Sequence, residues 1–357
     1  MSRGLCRWTR GILIALLPLL FLGAFGGELR AQAVPGVEAS PPATLLPEAS
    51  RADVWRAVRR GEQGYVAAPN MLGGQLIQSE GEVWRQIRLG AYKQWSAWIL
   101  LGAFGLVALF FALRGRVPLE GGPSGRTIER FNGLERFAHW LTATTFILLA
   151  LTGLNLMFGR TLLLPLVGKD VFAVLTQWGK LLHNYLAFGF MLGIVLMFVL
   201  WVRFNLPNRY DVIWILKGGG LVGRAHPPSK RFNAGQKFVF WSVILLGGSL
   251  SLSGLQLLFP FTFSFFDPTF ATLNAWFGTQ LPTGLSPIAE QQLATLWHGF
   301  VAVILIAIII GHIYIGSLGM EGAFAAMGSG RVDYNWAKQH HDLWVAELEK
   351  RGVVPAE

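Results

Sequence analysis

The sequence predicts an all-α integral membrane protein. Three observations carry that prediction: too few charges for a water-soluble chain, apolar runs long enough to cross a bilayer, and basic residues gathered between those runs. Of 357 residues, 53% are hydrophobic and only 14% are charged, whereas a soluble domain carries roughly 25% charged residues. The mean hydropathy is +0.46. Apolar content of this order excludes disorder, and the absence of a short period excludes low-complexity classes. A net charge of +10 would suit a nucleic-acid binder. Here, however, Lys and Arg stand in blocks between apolar stretches, which is the membrane pattern, so lipid is expected as a partner and nucleic acid is not.

Residues 1–33 have the three parts of a secretory signal: Arg3, Arg7 and Arg10, then the apolar run Ile12 to Phe25, then Ala31-Gln32-Ala33. Cleavage after Ala33 is expected, which would remove Cys6, the single cysteine. A mature chain without cysteine excludes disulfides, thiolate zinc sites, iron–sulfur clusters and covalently attached haem. Residues 34–94, Pro/Ala-rich and then polar, read as an extracytoplasmic segment.

Five apolar runs follow, each near the length that about 30 Å of hydrocarbon requires. They are Trp95–Leu113, Phe137–Phe158, Leu181–Val202, Phe238–Phe259 and Ala294–Leu318. The first is expected as a transmembrane helix over 95–113, joined by loop 114–136 to a four-helix region over 137–318, with a tail at 319–357. Loop 114–136 carries Arg114, Arg116, Arg126, Arg130 and Arg136, and loop 203–237 is equally basic, while 261–293 holds neither Lys nor Arg. The positive-inside rule places the basic loops and the tail in the cytoplasm. A signal that puts residue 34 outside, followed by five crossings, gives the same orientation.

Four of the seven histidines fall within the runs: His139, His183, His298 and His312. Ionisable groups at membrane depth are costly and point to function. His298 and His312 are 14 residues apart, about four turns and about 21 Å of helix rise, so they share a face at opposite ends of one span. His139 opens a helix running outward and His183 one running inward. Depth therefore pairs His139 with His312 on the inner side and His183 with His298 on the outer side. With no Cys, Asp or Glu read at matching depth, two bis-histidine sites suit b-type haem iron better than zinc. Gly153, Gly189, Gly193, Gly299 and Gly311 would leave room for a flat macrocycle, or equally would serve helix packing. His226, His340 and His341 lie in polar segments and are expected to be solvated.

Together, Phe131-Asn-Gly-Leu-Glu-Arg-Phe-Ala-His139-Trp, Leu182-His183-Asn184, Arg231-Phe-Asn-Ala-Gly-Gln-Lys237, Trp297-His298-Gly299, His312-Ile-Tyr314 and Trp336-Ala-Lys-Gln-His-His341 resemble the cytochrome b (gamma) subunit of respiratory formate dehydrogenases. The resemblance covers about residues 127–350 in family order and spacing. It implies a four-helix di-haem cytochrome b bundle in a bacterial inner membrane, with one extra N-terminal transmembrane helix as in longer proteobacterial forms. By resemblance His139, His312, His183 and His298 are axial ligands to two haem b groups. The turn holding Asn233, Gly235 and Gln236 resembles the family's quinone pocket. The residues allow that role, since the two amides can donate to a quinone carbonyl, but Asn233 could equally cap the span that follows.

The resemblance further implies an iron–sulfur (beta) subunit and a molybdenum or tungsten catalytic (alpha) subunit as partners. No residue of this chain is expected to be catalytic toward formate. The competing readings are a cytochrome b of a hydrogenase or another dehydrogenase, distinguished by its electron donor, and a purely structural membrane anchor, distinguished by lacking haem. A transporter would want broken helices and polar midplane residues.

Overall fold

The structure, a computed structural model, describes residues 79–220 and 226–353, together with Arg56. The expected signal segment, Cys6 and most of the 34–94 segment lie outside the described residues. Among the described residues, five helical stretches are long and apolar enough to cross a membrane: Val83–Arg114, Gly133–Leu162, Leu164–Phe204, Ala234–Leu258 and Pro287–Gly319. The principal elements are α1 (Ser79–Leu89), α2 (Ala91–Arg114), α3 (Gly133–Leu162), α4 (Leu164–Trp201), α5 (Arg209–Leu216), α6 (Ala234–Leu258), α7 (Phe266–Phe277) and α8 (Pro287–Tyr314). The chain is an all-α integral membrane protein.

Polar caps start the helices earlier than the apolar runs do. Asn132 caps α3: its side chain accepts from Glu135 N at 2.9 Å, and the Glu135 carboxylate accepts from Asn132 N at 3.0 Å. Asn233 and Gln236 make the same reciprocal pair at the start of α6, at 3.1 and 2.9 Å. Such boxes satisfy backbone N–H groups that a helix start leaves unpaired. Helix α4 reaches back to Leu164 through a kink at Gly168, whose φ of 78° a side chain would resist.

The described residues divide into two compact units, one with residues 79–87 and 255–295 and the other with residues 88–220, 226–254 and 296–353. In the first, Glu290 is 2% exposed and its carboxylate is fully used. It accepts from Gln256 Nε2 (2.6 Å), Ser264 Oγ (2.7 Å), Asp267 N (2.7 Å) and Phe266 N (3.1 Å). The last two bonds cap the N-terminus of α7, where backbone donors favour a negative charge.

In the second unit, the less exposed positions of α2 include a strip spaced by threes and fours: Tyr92, Ser96, Ile99, Ala103, Val107 and Phe110. That strip is the docking face of the first span. The opposite face presents Trp98, Leu101 and Phe104, all exposed, as a lipid-facing surface would. Helix α3 packs closely on α4, because a methyl on Gly193 would overlap Thr142 Oγ1 and come 3.1 Å from its Cα.

At the end of this unit that carries Glu135, two short strands, β1 (Thr127–Glu129) and β2 (Arg331–Asp333), pair antiparallel. Two further helices follow, α9 (Tyr334–His340) and α10 (Asp342–Lys350). Beneath them is a buried polar knot. Arg231 Nη2 donates to Glu135 Oε1 (2.8 Å) and to the Arg130 carbonyl (2.7 Å), and Trp201 Nε1 donates to Glu135 Oε1 (2.9 Å). Arg130, 2% exposed, donates to the Arg231 carbonyl (2.7 Å) and to His341 Nε2 (3.0 Å). Its guanidinium faces the rings of Phe131, Trp336 and Trp344. Burial, reinforced by Arg231 and opposed by Glu135, pulls Arg130 down to about 9, so it stays charged at neutral pH.

His341 corrects the sequence reading. It is not solvated but fully buried, donating from Nδ1 to the Lys230 carbonyl at 2.7 Å while Nε2 accepts from Arg130. His340 is half-buried, and of these three histidines only His226 is exposed, paired with Glu120 at 3.1 Å. Burial, then the Arg130 charge, holds His341 well below 6.5, and burial followed by His226 lowers His340 to about 4. Both are neutral in the folded protein, so below about pH 6.5 the unfolded chain binds more protons. Stability from these two groups is complete above that pH and drains as pH falls toward the folded values. Thermal unfolding of the purified protein is expected to shift down between about pH 7.5 and pH 5, less so in His341→Gln. An identical pH profile for the variant would refute the assignment to His341.

A pair of imidazole pairs

Helices α3 and α4 contribute His139 and His183, and α8 contributes His298 and His312. The structure brings them together in two pairs. The rings of His139 and His312 lie 6.3 Å apart, centre to centre, at 62°. Those of His183 and His298 are also 6.3 Å apart at 62°. Two imidazoles sharing one metal ion on a straight axis stand about 6 Å apart, since each metal–nitrogen bond takes about 2 Å and each ring about 1 Å more. The repeated spacing fits an ion between each pair. Among the described residues no three His, Cys, Asp or Glu side chains converge as a ligand set, so the remaining ligands of such an ion come from elsewhere, as a haem macrocycle supplies them.

Hydrogen bonds set the tautomer of the second pair. Thr152 Oγ1 donates to the Leu148 carbonyl (2.8 Å) and sits 2.8 Å from His183 Nδ1. Ser253 Oγ donates to the Ser249 carbonyl (2.9 Å) and sits 3.0 Å from His298 Nδ1. With both hydroxyl protons engaged, each imidazole donates from Nδ1–H and keeps the Nε2 lone pair free, as a metal-bound histidine does. In the first pair, His139 Nδ1 is buried with no partner among the described residues.

The glycines separate into two groups. A methyl on Gly153 would lie 3.5 Å from His183 Cε1, and one on Gly254, not singled out from sequence, 3.4 Å from His298 Cε1. Gly311, beside His312, has nothing within 4 Å. These keep the flanks of the pairs clear. Gly189 and Gly193 face Thr145 and Thr142 instead and serve helix packing.

Two of the histidine-bearing helices also carry a buried carboxylate. Glu135 is one turn before His139, and Glu290 is eight residues before His298 in α8. The hydrogen bonds described above engage both. The side chain of Asn233, whose amide oxygen is used in its capping pair, keeps its N–H₂ group, as does Gln236. Gly235 is a place of close approach, since a methyl there would come 2.9 Å from the Trp214 ring.

An all-α bundle of membrane-crossing helices with paired imidazoles at this spacing has the architecture of a membrane cytochrome b. Residues 130–330, more than half of the chain, match the family model of prokaryotic cytochrome b561, and the chain belongs to that family, which implies haem b. It is 32% identical over 233 residues to the formate dehydrogenase cytochrome b556(fdo) subunit of Escherichia coli K12, covering 65% of this chain and 98% of that protein. It is 28% identical to the nitrate-inducible formate dehydrogenase cytochrome b556(Fdn) subunit of the same organism, over 63% of this chain and 93% of that protein. A formate dehydrogenase cytochrome b556 subunit of Haemophilus influenzae is 23% identical, over 59% and 79%. The relatives match a length that leaves about a third of this chain uncovered.

Proposed function

We propose that this chain is the membrane-anchoring di-haem cytochrome b subunit of a formate dehydrogenase, in which two b haems relay electrons from an extracytoplasmic iron–sulfur subunit to quinone at the cytoplasmic side. The observation that carries it is the repeated 6.3 Å imidazole spacing at two levels of α8. His139 and His312 hold the inner group and His183 and His298 the outer one, with Thr152 and Ser253 fixing the outer rings. A molybdenum- or tungsten-dependent catalytic subunit would oxidise formate. The basic loops 114–136 and 203–237, together with the signal segment 1–33, orient the mature N-terminus outside and the C-terminus inside.

In this reading Asn233 Nδ2 and Gln236 Nε2 donate to a quinone carbonyl, and the Trp214 ring beside Gly235 walls the site. Protons for the reduced quinone come from the cytoplasm, while formate oxidation releases its proton outside, so charge separates across the membrane without a pump.

Purification through a C-terminal tag, with identification of the co-purifying subunits and a formate:quinone assay, tests the whole reading. A hydrogenase catalytic subunit in the preparation would replace the donor. Asn233→Leu tests the quinone site. Turnover per haem is expected to fall by up to about tenfold, the equivalent of one hydrogen bond. If Asn233 serves only as a cap, the variant loses about 1 kcal/mol of stability and keeps its turnover per haem.

A further inference from the structure

The first span carries a polar group that the described residues do not satisfy with a hydrogen bond. Tyr92 is the second residue of α2, and its hydroxyl is buried with no hydrogen-bond partner among the described residues. Its surroundings are specific. A methyl on Gly299, which follows His298, would overlap the Tyr92 oxygen and lie 3.2 Å from Met157 Cε. Met157 is one turn along α3 from Gly153, whose missing side chain faces His183 Cε1. The hydroxyl therefore sits in a niche between α2, α3 and α8 on the flank of the His183–His298 pair.

The rotation of α2 is fixed at both ends, so the phenol cannot turn toward lipid. Tyr92 and Phe110 are 18 residues apart, five turns at 3.6 residues each, and so share a face. At the far end Phe110 and Phe111 meet the Tyr314 ring edge-on at 6.1 and 6.3 Å. Next to Tyr92, Lys93 has its own partner, donating to Thr161 Oγ1 at 2.5 Å.

Buried hydroxyls in folded proteins almost always have a partner, and the Met157 methyl beside it offers none. The only hydrogen-bonding atoms on the rim of a b-type haem are its propionate carboxylates. We propose that the Tyr92 hydroxyl donates a hydrogen bond to a propionate of the haem held between His183 and His298, which makes the extra first span part of that haem's pocket. The inference rests on the haem reading of that pair. It gives Gly299 a reason as well, since only a residue without Cβ admits the phenol at this distance.

The sign of the effect follows from charge. A donor on the propionate withdraws part of its negative charge and favours the reduced iron. Without the donor the full carboxylate charge favours the oxidised, more positive iron, and the midpoint potential falls.

The test is Tyr92→Phe in the intact complex, which removes one oxygen and keeps the ring that packs α2. Redox titration followed by absorbance resolves the two haems, the outer one being that lost in His183→Ala. Both haems are expected to remain. At a fixed potential the reduced-to-oxidised ratio of the outer haem should fall by roughly threefold to tenfold, the tenfold end being 59 mV for a one-electron couple, with the inner haem unmoved. Gly299→Ala, which pushes the hydroxyl aside, should shift the same haem in the same direction. An unchanged outer potential in Tyr92→Phe, as for a hydroxyl that merely bonds water, overturns the proposal, and so does an equal shift of both haems. A wild-type complex with fewer than two haems, or His298→Ala retaining both, defeats the underlying haem reading instead.

Discussion

If each imidazole pair holds one haem as proposed, His183→Ala is expected to yield a protein with one haem in place of two, and the haem that remains should be out of reach of formate. The substitution removes the only imidazole facing His298 and leaves the 6.3 Å pair of His139 and His312 intact. In the proposed electron path, electrons entering from outside would then have no first acceptor, whereas quinol would still reduce the haem held by His139 and His312. His139→Ala should lose the same amount of haem and fail in the opposite sense, with formate reducing the haem that remains and quinone reduction lost. Pyridine haemochrome analysis gives the count, and reduction by formate or quinol gives the position. Since α8 carries one histidine of each pair, single substitutions on α3 and α4 separate the two sites without disturbing the shared helix. Loss of both haems from each variant, in protein that still folds, would contradict two independent sites. Retention of both in each would contradict the ligand assignment.

The membrane spans were legible because a bilayer demands long apolar runs, and the histidine pairing was legible because helical rise converts spacing into depth. Helix starts were not, because Asn132 with Glu135 and Asn233 with Gln236 carry helices α3 and α6 into polar sequence that hydropathy reads as loop. The docking face of α2 was hidden for the opposite reason: the helix is apolar all round, so no moment singles out the strip from Tyr92 to Phe110. His341 was misread because a His-His doublet between polar residues looks solvated. Its burial depends on Arg130, 211 residues away in sequence, and no local pattern encodes that contact. The glycines read as one set from sequence, and only their neighbours show that Gly153 and Gly254 face imidazoles while Gly193 closes two helices together.

The same long-range knot is expected to couple folding to the His139–His312 pair through Glu135, 6% exposed. Its carboxylate accepts from Arg231, from the Trp201 indole and from the backbone of Asn132, and its own N–H closes the cap of α3. Glu135→Ala leaves Arg231 beside Arg130 with no counter-charge and strands the Trp201 donor. Breaking a buried ion pair from one side costs about 3–5 kcal/mol. The lost cap contributes about 1 kcal/mol, not fully additive because the same carboxylate makes both interactions. Glu135→Gln keeps an acceptor for Trp201 and a residue suited to the capping box, losing only the charge, so it should fall between alanine and wild type. The consequence reaches the site because His139 is one turn further along α3, where a loosened first turn no longer holds its ring at 6.3 Å from His312. Thermal unfolding and haem retention in purified protein should therefore rank wild type above glutamine above alanine. The haem lost on mild heating should be the inner one, identified as that missing in His139→Ala. Stabilities within about 0.5 kcal/mol of wild type for both variants would show that the knot does not support α3. Preferential loss of the outer haem would show that its influence does not run through His139.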